Sequence, residues 1–278
     1  MNGWRFALSR RWFGYLALVV LFAVACTMLS MWQLARRDEA RARIAQVENN
    51  WESAPRPIDE VLPTLDSFNA DDTWVSVELE GEYLADDELL ARGRPFSGQP
   101  GFEQLVPFLL DGGTAIVVDR GWLPVGNEQD APDSVPPAPE GRVTVVVRLK
   151  AGEPTVAGRS APEGQIATIH LPTIAAILEQ PTYTAAYGLL VSEDPAVPRP
   201  AATPKPAADE GSHLSYAFQW LVFGIMAFVG LGWAVRQEYR IRNADDPEER
   251  ARAEKRRAKV AARRPSDAEV EDALLDQR

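Results

Sequence analysis

The stretch FEQLVPFLLDGGTAIVVDRGWLP, residues 102–124, decides the fold class of the middle of this 278-residue chain. Two runs rich in β-branched and aromatic residues stand on either side of Asp111, Gly112 and Gly113. Such runs are typical of strands, and a short connection that contains glycine is typical of a tight turn. The stretch therefore predicts a β-hairpin.

Further strands surround this hairpin. Residues 73–84 (TWVSVELEGEYL) alternate in polarity, with Val75, Val77 and Leu79 on one face and Ser76, Glu78 and Glu80 on the other. Additional strands are predicted over 142–150, 165–170 and 183–191, and one short helix over 173–180. Several short strands separated by glycine and proline indicate a mainly antiparallel β-sheet or small barrel with a little helix.

Two apolar segments, residues 12–34 and 214–235, enclose the β-rich region. Neither contains a charged residue, and each reaches the roughly 20 residues that a helix needs to cross a bilayer, so both are predicted to be transmembrane helices. For the first, Arg10–Arg11 and Cys26 suggest a twin-arginine export signal or a lipoprotein signal as alternatives. Its uninterrupted length favours an uncleaved anchor.

Charge predicts the orientation of these segments. Within about 20 residues of the spans, the terminal side carries nine Lys and Arg residues and the loop side carries six. The loop from Arg36 to His213 has 14 basic and 29 acidic residues, which gives no electrostatic attraction to nucleic acid. The sequence predicts a multi-pass cell-membrane protein with both termini cytoplasmic and the β-rich region extracytoplasmic.

The predicted fold class is thus membrane α+β, with two transmembrane helices flanking an extracytoplasmic, mainly antiparallel β-sheet or small-barrel domain. Five prolines between Glu193 and Gly211 are typical of a semi-rigid spacer. The tail has 12 basic and 11 acidic residues, which favours a solvated segment, with contact to anionic lipid headgroups as the alternative. The predicted organisation is a cytoplasmic N-terminus (1–11), transmembrane helix 1 (12–34), the β-rich domain (35–192), a Pro/Ala-rich linker (193–213), transmembrane helix 2 (214–235) and a cytoplasmic charged tail (236–278).

The residue types give little support to catalysis. Cys26 is the only cysteine and the chain has two histidines, too few for a thiolate or His-rich metal site. The serines lack a G-x-S-x-G setting, and acidic runs such as residues 86–88 are typical of solvated loops. The chain is not expected to be an enzyme, and no metal site is predicted.

Two motifs remain open to more than one interpretation. DRGW, residues 119–122, can pair its charges across a sheet and pack its indole over a glycine, or it can contact a partner protein. HLSYAFQW, residues 213–220, opens the second span with a histidine. The residues that share its helical face are Tyr216, Ala217, Trp220 and Gly224.

His213 itself has two interpretations. Small residues deeper along its helical face let another helix or a flat ring approach closely, and a neutral imidazole can be an axial ligand of heme iron. Alternatively, His, Tyr and Trp side chains simply suit the membrane interface.

Taken in order, these segments resemble the Surfeit locus protein 1 (Surf/Shy) family of cytochrome c oxidase assembly proteins. The resemblance lies in WQLARR at the end of the first span, GRPFSGQPGFEQLVPF, VVDRGWLP, GRVTVVVRLKAGEP and HLSYAFQW. The order and spacing match from about Trp12 to Val235, and the charged tail lies outside the resemblance.

The resemblance implies a membrane-embedded biogenesis factor of the respiratory chain that helps to place heme a in the large subunit of cytochrome c oxidase. The second-span histidine, which is implicated in heme binding in the family, corresponds to His213, and Tyr216 and Trp220 are expected to line the contact. The implied partners are the oxidase large subunit, a heme a synthase and membrane lipids, but no nucleic acid.

A scaffold that binds no heme is the alternative to this role. In that case a partner-binding surface would hold an oxidase subunit during assembly, and His213 would only seat its helix in the membrane interface. The residues expected to form that surface are Arg94, Pro95, Arg120 and Trp122.

Overall fold

The fold is described from a computed structural model in which residues 3–127 and 130–261 are placed. The predictions for Met1, Asn2 and tail residues 262–278 lie outside these residues. The chain divides into two compact units. One is the β-domain, Glu39–Glu210, and the other is a helical unit made of residues up to Asp38 and from Gly211 onward.

The helices are α1 (Arg10–Trp51), α2 (Ile58–Val61), α3 (Leu171–Ala175), α4 (His213–Arg242) and α5 (Pro247–Ala261). The strands are β1 (Arg56–Pro57), β2 (Ser76–Tyr83), β3 (Leu89–Arg92), β4 (Gly101–Leu110), β5 (Ala115–Pro124), β6 (Arg142–Ala151), β7 (Gln165–Ile166) and β8 (Ala186–Asp194).

Five of the strands close into a small barrel. The order around the ring is β2, β6, β8, β5, β4 and back to β2, while β1, β3 and β7 extend the sheet beyond it. All pairings in the ring are antiparallel except β5 with β8. The prediction of a mainly antiparallel small barrel is confirmed, with the addition that the sheet is mixed because β1–β2 and β3–β7 are parallel as well.

The hairpin predicted from residues 102–124 is formed by β4 and β5. Its turn closes with hydrogen bonds between Leu110 and Gly113 and between Leu110 and Thr114. Gly113 has a φ of +81°, a conformation that glycine adopts without steric cost. The predicted turn chemistry therefore accounts for the geometry.

Two predicted elements are shorter or shifted. The strand expected over 165–170 is reduced to the two residues of β7, and the helix expected over 173–180 is α3, which begins two residues earlier. Pro172 lies in the first turn of α3, where its missing N–H costs nothing. Ser76, expected on the exposed face of its strand, is buried.

Apolar side chains cover both faces of the barrel wall. The inner cluster contains Val77, Leu79, Phe108, Val118, Val147 and Leu190. An outer cluster covers β4, β5 and β8 with residues from the segment around α3, including Ile169, Leu171 and Ile174. Neighbouring residues of β5 therefore point to different surroundings, because successive side chains of a strand alternate between faces.

The Pro/Ala-rich segment is tied to the barrel. Strand β8 runs to Asp194, two residues into the predicted linker. Further along, the backbone of Ala201 exchanges both hydrogen bonds with the backbone of Trp122, at 2.8 and 3.0 Å. The Arg199 guanidinium also donates to the Val191 carbonyl at 2.9 Å. This part of the segment is therefore an added edge partner of β5.

In the helical unit, α1 and α4 are each long and apolar enough to cross a membrane. They pack against each other in antiparallel orientation, with Gln33 beside His213 and Cys26 beside Gly224, along a seam with three- and four-residue spacing. The less exposed positions along α1 are Val19, Ala23, Cys26, Ser30 and Gln33, and those along α4 are His213, Ala217, Trp220, Gly224, Ala227 and Leu231. A Cβ placed on Gly224 would lie 3.6 Å from the Cys26 Cβ, so the backbones come close there.

Candidate functional site

His213 is the first residue of α4, and its imidazole is held by the other helix of the pair. Its Nδ1 lies 2.8 Å from Gln33 Oε1. A side-chain carbonyl oxygen only accepts hydrogen bonds, so Nδ1 is the nitrogen that carries the proton. In a neutral imidazole this leaves the Nε2 lone pair free, which is how metal-binding histidines are usually prepared by their second hydrogen bond.

The chain leading into α4 keeps the Nε2 edge of the ring uncrowded. Gly211 has a φ of +70°, and a Cβ placed on it would lie 3.3 Å from His213 Cδ2 and 3.4 Å from Nε2. A side chain at this position would be strained by the positive φ and would lie in close contact with the ring. The backbone conformation therefore favours glycine here, and glycine also leaves the ring more room.

The neighbours of His213 on α4 separate into two groups. Ala217 and Gly224 are buried against α1, so the small residues admit a second helix of the same chain. Trp220 is half-buried and makes an edge contact with Phe223 at 5.9 Å. Tyr216 is 48% exposed and lies outside the seam. A flat ring bound at His213 would therefore lie on the open side with Tyr216, because α1 covers the small-residue stripe.

The residues present fit an axial contact to heme iron. His213 supplies a half-buried imidazole with one nitrogen fixed by Gln33, and the exposed apolar surface beside it includes Leu214, Tyr216 and Phe218. Among residues 3–127 and 130–261, no group of three or more His, Cys, Asp or Glu side chains could hold a metal ion by itself.

In the β-domain, Arg120 of the DRGW motif points into one end of the barrel. Its guanidinium pairs with Glu193 at 2.9 Å, donates to Gln104 Oε1 and to the Pro136 carbonyl at 3.1 Å each, and lies 5.5 Å from the centre of the Tyr83 ring. The Arg120 and Glu193 side chains are 0% and 2% exposed. The ion pair therefore joins β5 to β8 inside the barrel.

Asp119, the neighbour of Arg120, lies in different surroundings and makes no ion pair with a described residue. One carboxylate oxygen accepts from the Gly121 N–H at 2.9 Å, and the other is buried without a hydrogen-bond partner among the placed residues. Burial, followed by repulsion from Glu103, raises the pKa of Asp119 to about 8. The expected pairing of charges across the sheet thus involves Arg120 with Glu193, while Asp119 is held as a neutral acid near pH 7.

Arg94 and Trp122 are brought together at the surface near this carboxyl. The indole N–H of Trp122 donates to the Arg94 carbonyl at 2.8 Å, and its ring stacks on Phe96 with centroids 5.1 Å apart. The Trp122 ring also lies directly over Gly101, where a Cβ would overlap it. The indole therefore packs over a glycine of the neighbouring strand, which is one of the two interpretations that the motif left open.

The Arg94 guanidinium is part of a second charged group. It contacts Glu103 at 2.9 Å and Glu153 at 2.8 Å. Burial raises the pKa of Glu103 against the attraction of Arg94. For Glu153, burial acts in the same direction, but hydrogen bonds from Arg94 and from the Ile169 N–H prevail and lower its pKa.

Of the predicted partner-binding residues, Pro95 is exposed, Arg94 and Trp122 are half-buried, and Arg120 is buried. Sequence reasoning missed Gln33, Glu193 and Glu153, each of which holds one of the predicted residues. Gln33 could have been noticed because it stands in WQLARR, one of the quoted motifs. Glu193 and Glu153 carry no local signal, since only the barrel brings them close.

The structure thus defines a class of protein in which a small β-barrel domain is joined to two helices that are long and apolar enough to cross a membrane, with a histidine held at the start of the second helix. The chain belongs to the SURF1 family, whose model matches residues 20–225. It is similar to uncharacterized SURF1-like proteins of Mycobacterium bovis and Mycobacterium tuberculosis, with 34% identity over 245 residues, 86% of this chain and 89% of theirs. The resemblance found in the sequence is thus confirmed.

Proposed function

We propose that this protein is a membrane-anchored assembly factor for a respiratory heme-copper cytochrome c oxidase and assists the insertion of heme a into the large catalytic subunit. The observation that carries the proposal is the Gln33–His213 hydrogen bond, which leaves Nε2 of the imidazole available at the end of an apolar helix pair. Family membership supports the oxidase as the target.

The proposed location is the cell membrane, with both termini cytoplasmic and the barrel extracytoplasmic. The surfaces of α1 and α4 support insertion, since large apolar side chains such as Leu21, Met28 and Trp233 are each 67% exposed. An apolar surface of this extent is unfavourable in water and favourable in a hydrocarbon layer. The surplus of basic residues on the terminal side supports the orientation.

When bound, heme a would supply a flat hydrophobic ring and an iron that an imidazole nitrogen can bind. His213 would offer Nε2 to the iron, because Gln33 accepts the hydrogen bond from Nδ1. Tyr216 and Trp220 provide aromatic surface beside the imidazole. Because the Tyr216 side is open, the contact is suited to a transient complex in which the oxidase large subunit or a heme a synthase covers the other face.

The chain itself is proposed to be non-enzymatic. It contributes binding and orientation, and none of the polar clusters described above places a nucleophile beside a general base in the manner that nucleophilic catalysis needs. The buried carboxyl of Asp119 accepts from the Gly121 N–H within β5, at the irregular pairing of this strand with β4, and is proposed to serve the local fold.

A second candidate function is the scaffold, and one specific observation favours it. The turn that carries Pro95 and Phe96 is exposed at its tip and stacks on Trp122, which forms a compact aromatic surface on the barrel. Aromatic side chains with an arginine at their edge are typical of energetically important protein contacts. In the scaffold alternative this surface binds an oxidase subunit, and the protein binds no heme.

Absorption spectroscopy separates the two. The full chain is purified in detergent from cells that make heme a, together with His213→Ala and with His170→Ala, which removes the other histidine as a matched control. We expect a reduced a-type band in the wild type and in His170→Ala and its loss in His213→Ala. An equal band in all three proteins would contradict binding through His213, and the absence of a band from all three would contradict heme binding. The scaffold predicts in addition that Trp122→Ala, and not His213→Ala, lowers the oxidase content of the membranes.

A further inference from the structure

We propose that the end of α4 and the helix α5 form a binding site for the phosphate of an anionic phospholipid. The proposal rests on the membrane placement of α4 given above and requires neither heme nor oxidase. The site is a cavity of about 470 Å³ between these helices and the short 3-10 helix Gly3–Leu8. Its charged lining residues are Arg236, Arg240, Arg252, Arg256 and Glu249.

The cavity has an excess of positive charge. Its one carboxylate, Glu249, pairs with Arg252 at 2.8 Å and lies 3.8 Å from Arg256, and its side chain is 9% exposed. Arg236 and Arg240 make no ion pair with any residue that the structure places. Four guanidinium groups against one carboxylate leave a net charge of +3, and two of those groups are uncommitted. One guanidinium group can donate two parallel hydrogen bonds to two oxygens of a phosphate, so the lining suits a phosphate.

The position along α4 selects a lipid rather than a free phosphate. Arg236 follows directly after Val235, the last residue of the apolar span, so the cavity lies where the hydrocarbon layer gives way to headgroups. Trp4 lines the same cavity and stacks on Tyr239 with ring centroids 4.3 Å apart. Trp and Tyr are the side chains that concentrate at this level of a bilayer. A phospholipid whose phosphate occupies the cavity and whose acyl chains lie along α4 would match both the position of the cavity and its aromatic lining.

The basic surface continues from the cavity along α5. A second depression shares Arg240, Glu249 and Arg256 and adds Arg250 and Arg257. Clusters of four to eight basic residues just beyond a membrane span are typical of sites for acidic lipids. The cavity is the larger of the two, about 470 Å³ against about 320 Å³, and it is the part where a single headgroup is expected to be held.

The test uses the full chain in a neutral detergent. It is titrated with soluble dioctanoyl phosphatidylglycerol, and with the phosphatidylcholine analogue as the neutral comparison, while bound lipid is counted by native mass spectrometry. The site variant is Arg236→Gln with Arg240→Gln. The matched control is Lys255→Gln with Lys259→Gln, which removes the same charge from the same tail but lines neither depression.

We expect phosphatidylglycerol to bind the wild type and the control variant, and binding to the site variant to be at least tenfold weaker than to the control. An equal loss of binding in both variants would overturn the site, because general surface charge would then explain the binding. Equal binding of phosphatidylcholine would also overturn it, because apolar contact would then be sufficient. Displacement by inorganic phosphate at equal concentration would overturn the lipid assignment.

The a-type heme band of the same samples reports on the proposed function separately. A wild-type protein that shows the band but binds no phosphatidylglycerol overturns this site alone. A wild-type protein that binds phosphatidylglycerol but shows no band overturns only the heme proposal.

Discussion

Gln33 Oε1 accepts a hydrogen bond from Nδ1 of His213 at 2.8 Å, although the two residues are 180 positions apart in the chain. The contact joins the end of α1 to the start of α4 and lies on the same seam as the close approach of Gly224 to Cys26. It connects the WQLARR and HLSYAFQW motifs. The tautomer of the proposed heme ligand is therefore controlled by a residue of the other helix.

This relationship predicts the effect of Gln33→Leu, which removes the acceptor and keeps the approximate size of the side chain. A hydrogen bond of this kind is worth about 1 kcal/mol, or about fivefold in affinity. We expect heme per protein, read from the a-type band, to fall by about that factor at limiting heme. Gln219→Leu, an exposed glutamine on α4, is the control and should leave the band unchanged. A full band in Gln33→Leu would contradict the positioning role.

The helix seam can be tested by a disulfide, because Cys26 is the only cysteine in the chain. The 3.6 Å between the Cys26 Cβ and a Cβ at position 224 lies in the range that disulfides require. Gly224→Cys should therefore cross-link to Cys26 under mild oxidation, so that no thiol reacts with a maleimide after denaturation. Gly230→Cys, where an added Cβ meets no atom within 4 Å, should keep two free thiols. The thiols are counted after denaturation because Cys26 is buried in the folded protein. Equal labelling of both variants would refute the antiparallel register.

The buried pair of Arg120 with Glu193 predicts a stability effect. Arg120→Ala leaves a buried carboxylate unpaired, and breaking such a pair costs about 3–5 kcal/mol of unfolding free energy. We expect a large drop in the thermal midpoint of the β-sheet signal in circular dichroism. Arg142→Ala, which breaks only exposed ion pairs with Glu80 and Asp111, should change it little. Lower oxidase content in Arg120→Ala would then report on folding, and an unchanged midpoint would show that the pair is dispensable.

Asp119 predicts how stability changes with pH. Because burial raises its pKa to about 8, the folded protein holds a proton that the unfolded chain releases near pH 4. The folded state therefore binds more protons between these values, and its stability is expected to fall as the pH rises from about 4 to about 8. Asp119→Asn keeps the oxygen that accepts from Gly121 and should flatten the profile of denaturant midpoints over this range. If the denaturant midpoint changes with pH equally in the wild type and the variant, a group other than Asp119 is responsible for the pH dependence.

Local sequence determined much of this protein. Three features follow from local patterns: the strand alternation around Val77, the turn at Gly113 and the two uncharged apolar spans. Each depends on the backbone conformations that its own residues favour and on whether their side chains favour water or an apolar environment. The packing of an indole over a glycine was one of two interpretations of DRGW, and the structure identifies the glycine as Gly101 on the paired strand of the hairpin. Family membership also followed from motifs that can be read in order.

Tertiary structure alone decided which side chains meet. Closure of the barrel brings Glu193 to Arg120, and on the other side of the wall it leaves Asp119 without an ion pair to any residue that the structure describes. The spacing in DRGW reveals neither outcome. The composition of the Pro/Ala-rich segment predicts a spacer, but in the structure Ala201 pairs with Trp122. The pairing forms because backbone groups at the edge of β5 need hydrogen-bond partners. The packing of α1 on α4 likewise covers the small residues of α4 with α1 and brings Gln33 into hydrogen-bonding distance of His213. Such contacts depend on distances between segments far apart in the chain, and only the folded structure sets these distances.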